Sequence, residues 1–213
     1  MTKKLWFSLG LLGAFLLWTA AVMVVDVQAI GGADSAVGFA TLNGWIHELM
    51  GVHLSLYLLT DWLSVIPLGM VLGFGVLGLV QWIRRKDLRK VDASLLLLGG
   101  FYVLVLGVFL LFEVVVINYR PILIEGVLEA SYPSSTTMLV LCVMPTAALE
   151  LRSRIQQPTL RRWLTAAVTV FTVFMVLARL VSGVHWFTDI VGGILLSGGL
   201  VVGFWSFREG ITG

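Results

Sequence analysis

Arg179, His185 and Asp189 fall within eleven positions of one another in the stretch Ala178 to Asp189, inside a sequence that is otherwise apolar. Ionisable side chains are costly in such surroundings and default to functional cavities. Asp189 follows His185 by four residues, so on a helix both project from one face. The carboxylate can then accept from one imidazole N–H, fix the tautomer, and leave the other ring nitrogen free as a base or nucleophile. Arg179 precedes them across a Ser182-Gly183 break. A guanidinium near the free nitrogen grips a phosphate or carboxylate through two parallel hydrogen bonds. The alternative for the same residues is a polar seam joining transmembrane helices.

The elements that must position this chemistry are membrane helices. Of 213 residues 59% are hydrophobic and the mean hydropathy is +1.00, which is too apolar for a soluble domain with one core. The net charge is only +2, with the basic residues clustered between apolar runs, so no face for DNA or RNA is expected. The single cysteine, Cys142, reads as a small packing residue. No Cys/His metal-ligand spacing and no glycine-rich nucleotide loop occur, so neither a metal nor a cofactor is expected. Oligomeric state leaves no mark on the sequence.

The hydropathy pattern predicts an all-α integral membrane bundle, a single domain over 1–213 with six transmembrane helices at about 5–25, 62–83, 93–117, 136–151, 163–180 and 187–207. The first run is longer than the apolar core of a signal peptide, so it is expected to be retained. Between the first two spans, Phe39, Leu42, Trp45, Ile46 and Leu49 recur at helical spacing and predict an amphipathic interfacial segment, with His47 and His53 as interfacial polar residues. The glycines of the second span are expected to permit close helix packing.

Six spans put both termini on one side. Lys3, Lys4, Arg84, Arg85, Lys86, Arg89, Lys90, Arg152, Arg154, Arg161, Arg162 and Arg208 then share that side, which is 12 of the 14 basic residues. Lys and Arg accumulate in cytoplasmic loops, so the termini are expected in the cytosol of a protein of the cell membrane. The two exceptions, Arg120 and Arg179, lie at the extracytoplasmic face, where an anionic ligand would account for them. The competing account is structural pairing with Glu113, Glu125, Glu129 or Asp189.

Arg120-Pro121, Tyr132-Pro133-Ser134-Ser135-Thr136, and Arg179 with five residues before His185 and three more before Asp189 resemble in order and spacing the three-part signature of the type 2 phosphatidic acid phosphatase family. That signature reads Lys-x6-Arg-Pro, Pro-Ser-Gly-His and Ser-Arg-x5-His-x3-Asp. The resemblance implies a metal-independent phosphatase of lipid phosphates and pyrophosphates. Under it His185 is the nucleophile that becomes phosphorylated and Asp189 its orienting partner, while Arg120, Arg179, Ser134 and Ser135 bind the phosphate. Backbone amides at Ser134-Ser135, opening the fourth span, would add a helix N-terminus favourable to an anion.

The chain departs from the signature at four places. Glu113 stands where the family has lysine, seven residues before Arg120, and on one helical face the two could pair. Thr136 replaces the histidine that protonates the leaving group, Ser135 a glycine and Ala178 a serine. A pyrophosphate releases a phosphate monoester, whose second pKa is about 6, and such a group departs without a proton donor. An alkoxide would need one. The expected partners are therefore membrane lipids and a lipid phosphate or pyrophosphate, polyprenyl pyrophosphate above all. The alternative is a non-catalytic relative that binds or transports a phospholipid or lipid-linked phosphate.

Overall fold

The computed structural model describes residues 2–212. Helix α1 (Thr2–Val24) packs along α8 (Phe187–Thr212), with α5 (Ala93–Val114), α6 (Ser135–Arg154) and α7 (Pro158–Val181) completing the bundle beside α4 (Val65–Arg85). Among the described residues five helical stretches are long and apolar enough to cross a membrane: Lys3–Val24, Leu54–Arg85, Ala93–Val114, Pro158–Val181 and Phe187–Ile211. The expected sixth crossing is α6, which is long enough, since 20 residues rise about 30 Å. It is less apolar because it is enclosed. Buried residues run along most of its length, from Thr136 and Thr137 through Val140, Val143 and Thr146 to Glu150. A helix shielded by protein over most of its surface needs little lipid-compatible surface. Its apolar residues join the core of Phe15, Leu98, Phe101, Tyr102, Phe204 and their neighbours.

Several span boundaries differ from expectation by a few residues, two of them for identifiable reasons. Where the second span is expected to begin near 62, helix already runs from Leu54 as α3 (Leu54–Leu63), breaks at Ser64 and continues as α4. Pro67 in the first turn of α4 lacks an N–H and its ring crowds the carbonyl four residues back, which places the break there. The third span stops at Val114, three residues before its expected end at 117, where the β-branched run Val114 to Ile117 meets Asn118. Residues 115–134 therefore form a loop, Glu113 and Arg120 share no helical face, and Arg120 pairs with Glu129 at 3.0 Å instead.

The interfacial segment is more built than an amphipathic helix alone. A short hairpin (β1, Gln28–Ala29; β2, Ala36–Val37) precedes α2 (Ala40–Met50). Asn43 accepts from the Thr188 N–H at 3.2 Å and donates to the Thr188 hydroxyl at 3.0 Å, fastening α2 to the start of α8. The connector into α3 crosses the turn after α7. There Gly183 has φ +67, and a Cβ on it would lie 2.0 Å from the Gly51 carbonyl oxygen. The approach admits only glycine. Thus α2 and α3 form a roof over the end of the bundle where α7 passes into α8.

The other end is tied by ion pairs. Lys4 meets Glu209. Asp92 holds Arg85 at 3.0 Å and Arg154 at 3.2 Å, and buried Glu150 holds Arg154 at 2.8 Å and Arg208 at 3.5 Å.

Candidate active site

His185 lies in the turn between α7 and α8, outside both helices. The helical-face relation expected between it and Asp189 is therefore absent, and His185 Nδ1 stands 3.8 Å from Asp189 Oδ2, beyond hydrogen-bond reach. The reason is the start of α8. Asp189 reaches back to accept from the Trp186 N–H at 2.9 Å, as an acidic residue in a first turn does when it satisfies an orphan donor. Ser131 fills the gap. Its hydroxyl donates to Asp189 Oδ2 and lies 3.0 Å from His185 Nδ1. Asn118 donates to the other carboxylate oxygen at 3.3 Å.

The tautomer follows from these contacts. His185 Nδ1 is also 3.2 Å from the Ser131 carbonyl oxygen, which can only accept, so Nδ1 carries the proton. In the neutral ring the lone pair then belongs to Nε2, which is buried and has no hydrogen-bond partner.

Both arginines are buried, at 7% and 2% exposure, and both meet one side chain of the roof. Arg179 lies 4.7 Å and Arg120 5.6 Å from the centre of the Tyr57 ring. The α3 helix grips Arg179, whose Nη1 donates to Thr60 Oγ1 at 2.9 Å and to the Tyr57 carbonyl at 3.3 Å, with Asp61 3.8 Å from Nη2. Glu129 occupies only Nη2 of Arg120. Arg120 Nε and Nη1 and Arg179 Nε have no partner, and neither does the fully buried hydroxyl of Ser134. Ser134 caps α6, and its own N–H donates to the Asp189 carbonyl at 3.1 Å. Ser135 and Thr136 open that helix and face a neighbouring apolar cavity. Glu113 lines a small pocket with Ser131 and Ser135.

Buried polar atoms are normally satisfied. Here one imidazole nitrogen, one hydroxyl and three guanidinium nitrogens of two arginines are left open, so most of the open donors are cationic. Such a group suits an anion with several acceptor oxygens. Among the described residues no three His, Cys, Asp or Glu side chains are grouped to hold a metal ion.

Burial pushes the His185 imidazole down to about 4; the charges of Arg120 and Arg179 act in the same direction, and Asp189 opposes them. Its unfolded value is about 6.5. The unfolded chain thus binds more protons below that pH, and the folded protein loses stability as pH falls from about 6.5 towards 4, with no effect above. The melting temperature of wild type minus that of His185→Gln is expected to shrink between pH 7.5 and pH 5. A difference that stays constant or grows on acidification would show that the imidazole is not held neutral.

Sequence patterning had no means of finding Ser131, Asn118, Tyr57 or Thr60. His47, in the interfacial segment, reaches the site's edge: its Nε2 lies 3.1 Å from the Gly183 carbonyl and its ring packs 5.5 Å from Trp186, on either side of His185. His53 turns away, to the Met50 carbonyl.

Residues 95–212, more than half the chain, match the model of the PAP2 superfamily. None of the curated proteins matches. A solved structure titled the crystal structure of the first transmembrane PAP2 type phosphatidylglycerolphosphate phosphatase from Bacillus subtilis superimposes with a TM-score of 0.60, covering 96% of this chain and 97% of that one at 21% identity. At that identity the likeness is one of fold.

Proposed function

The chain belongs to the PAP2 superfamily, and on that footing we propose that it is a membrane-embedded phosphatase of a lipid phosphate or pyrophosphate, with polyprenyl pyrophosphate as the favoured substrate. The observation that carries the reading is the set of buried, unpartnered polar atoms on His185, Ser134, Arg120 and Arg179. In the proposed reaction His185 Nε2 attacks phosphorus in line, the P–N bond forms, and the P–O bond to the lipid-bearing group breaks. Water then cleaves the phosphohistidine. Arg120 and Arg179 neutralise the non-bridging oxygens, where charge is spread in the transition state, and the Ser134 hydroxyl donates to one of them. Asp189, through Ser131, holds the Nδ1 proton in place and stabilises the ring as it becomes cationic. Glu129 on Arg120 stands in for a phosphate oxygen, and its side chain, 39% exposed, can swing aside.

A cavity of about 920 Å³ between α4, α5 and α6 supports a lipid substrate. Its polar mouth is formed by Asp61, Ser64, Ser135 and Thr136, and it runs to Trp82 and Leu88. From Ser64 to Trp82 the helix rises about 27 Å, close to the roughly 30 Å of bilayer hydrocarbon. The glycines here do not serve close packing as expected from sequence: a Cβ at Gly75, Gly78, Gly99 or Gly100 would meet nothing within 4 Å. They keep the groove open. Gly78→Leu is expected to lower kcat/KM for a long-chain substrate roughly tenfold, a plausible effect of a few misplaced methylenes, while a short-chain analogue is hydrolysed as before. Equal losses on both would remove the groove from the reading.

The proposed orientation puts both termini and the Arg84–Lys90 and Arg152–Arg162 segments in the cytosol and the site outside. The replacements at Glu113 and Thr136 favour a second reading, a non-catalytic lipid-phosphate binder. Purified protein assayed for phosphate release against lipid phosphates and pyrophosphates separates the two: release from any of them supports the enzyme, and binding without release supports the binder.

A further inference from the structure

Three arginines at the end of the bundle remote from His185 stand apart from the ion-pair network there. Arg152 at the end of α6, and Arg161 and Arg162 in the first turns of α7, line a cavity of about 480 Å³ together with Pro158, Thr165 and Ala166. No carboxylate lines it. Neighbouring Arg85, Arg154 and Arg208 are each paired with Asp92 or Glu150, whereas among the described residues none of these three arginines lies within ion-pair distance of an acid. Arg161 Nε donates to the Ile155 carbonyl, which ties that side chain across the α6–α7 connector and leaves the rest of its guanidinium uncommitted.

We propose that this cavity binds the phosphate of an anionic phospholipid from the leaflet it meets, the cytoplasmic one in the orientation given above. Three clustered cations at a membrane surface attract anionic headgroups, each contributing independently of the hydrophobic term. The choice of a lipid over a soluble anion rests on what lies beneath. Ala166 of the cavity wall begins a row with Val170, Val173 and Leu177, at intervals of four, seven and eleven residues. These share one side of α7. The last three are 69%, 51% and 55% exposed, so the row is an open apolar track leading from the cavity. From 166 to 177 it descends about 16 Å, half the roughly 30 Å of the hydrocarbon core, which is the length that one leaflet's acyl chain covers. The inference is independent of the chemistry at His185.

The test uses the whole protein, delipidated in a neutral detergent, with Arg120→Ala/Arg179→Ala as the background so that both cations of the arginine–histidine cluster are removed. Dioleoyl phosphatidylglycerol, dioleoyl phosphatidylcholine and inorganic phosphate are each titrated, with bound lipid and melting temperature as readouts. Phosphatidylglycerol is expected to bind and raise the melting temperature, and the other two to do neither at equal concentration. Replacing all three arginines by glutamine should weaken phosphatidylglycerol binding on the order of 100-fold, about fivefold per charge, and replacing them by lysine should restore most of it. The triple glutamine variant should elute as a single monodisperse peak in neutral detergent with the helical circular dichroism of the parent protein, showing that it is folded. Unchanged phosphatidylglycerol affinity in that variant overturns the site. Equal protection by inorganic phosphate or by phosphatidylcholine overturns the lipid assignment.

Discussion

His185→Ala is expected to reduce phosphate release by roughly 10⁴-fold or more, the scale seen when a catalytic nucleophile is removed, while lipid-phosphate binding survives. The open atoms of the cluster include two oxygen or nitrogen centres able to attack phosphorus, His185 Nε2 and Ser134 Oγ. Only the first is prepared for it. Its ring is fixed by the Ser131 carbonyl and hydroxyl, and the charge it gains is met by Asp189 through Ser131. Ser134 has no base within hydrogen-bond reach, and an unassisted hydroxyl is a poor nucleophile near neutral pH. Binding should survive because Arg120 and Arg179 are held by Glu129, Thr60 and Tyr57 and not by His185. Single-turnover assays quenched in alkaline SDS, watching for an acid-labile, alkali-stable phosphoryl-protein in wild type, together with equilibrium binding of the lipid phosphate to His185→Ala, check both halves. Retained turnover in His185→Ala would transfer the nucleophile's role elsewhere; loss of binding alongside turnover would make His185 a part of the socket.

How much of this was legible in the sequence follows from the physics of each part. The apolar runs that meet lipid announce themselves, because a lipid-facing helix has no other solvent. The enclosed helix α6 is free of that demand, so its threonines and Glu150 blur the signal. Cations stranded away from the basic loops were visible as exceptions, and Arg120 and Arg179 do share the Tyr57 ring. The relation of His185 to Asp189 is hidden because their four-residue spacing, which in a helix interior would put both on one face, straddles the start of α8. Ser131 then stands between them, and a lone serine in a twenty-residue loop carries no periodic signal. The grip of α3 on Arg179 was equally hidden, since it depends on how far the helix extends before Pro67 interrupts it.

Thr136→His is expected to raise hydrolysis of a lipid monophosphate by on the order of 100-fold, the usual scale of general acid catalysis, and to change pyrophosphate hydrolysis little. Thr136 sits in the first turn of α6, two residues after the cap Ser134, whose hydroxyl is among the open atoms, and it faces the mouth of the long cavity. A larger side chain there has space to enter. Cleavage of a monoester expels an alkoxide, which must be protonated as the P–O bond breaks, and threonine cannot supply that proton at neutral pH. Cleavage of a pyrophosphate expels a phosphate monoester, with a second pKa of about 6, which leaves unaided. A restored imidazole therefore lowers one barrier and leaves the other nearly untouched, so the ratio of the two rates reports the leaving group independently of substrate binding. Both rates should be measured on wild type and variant with lipids sharing one hydrocarbon chain, to keep the groove's contribution constant. Equal gains on both substrates would mean that the histidine acts as a further cation on phosphate. No gain on either, in a folded variant, would mean that position 136 does not face the scissile bond.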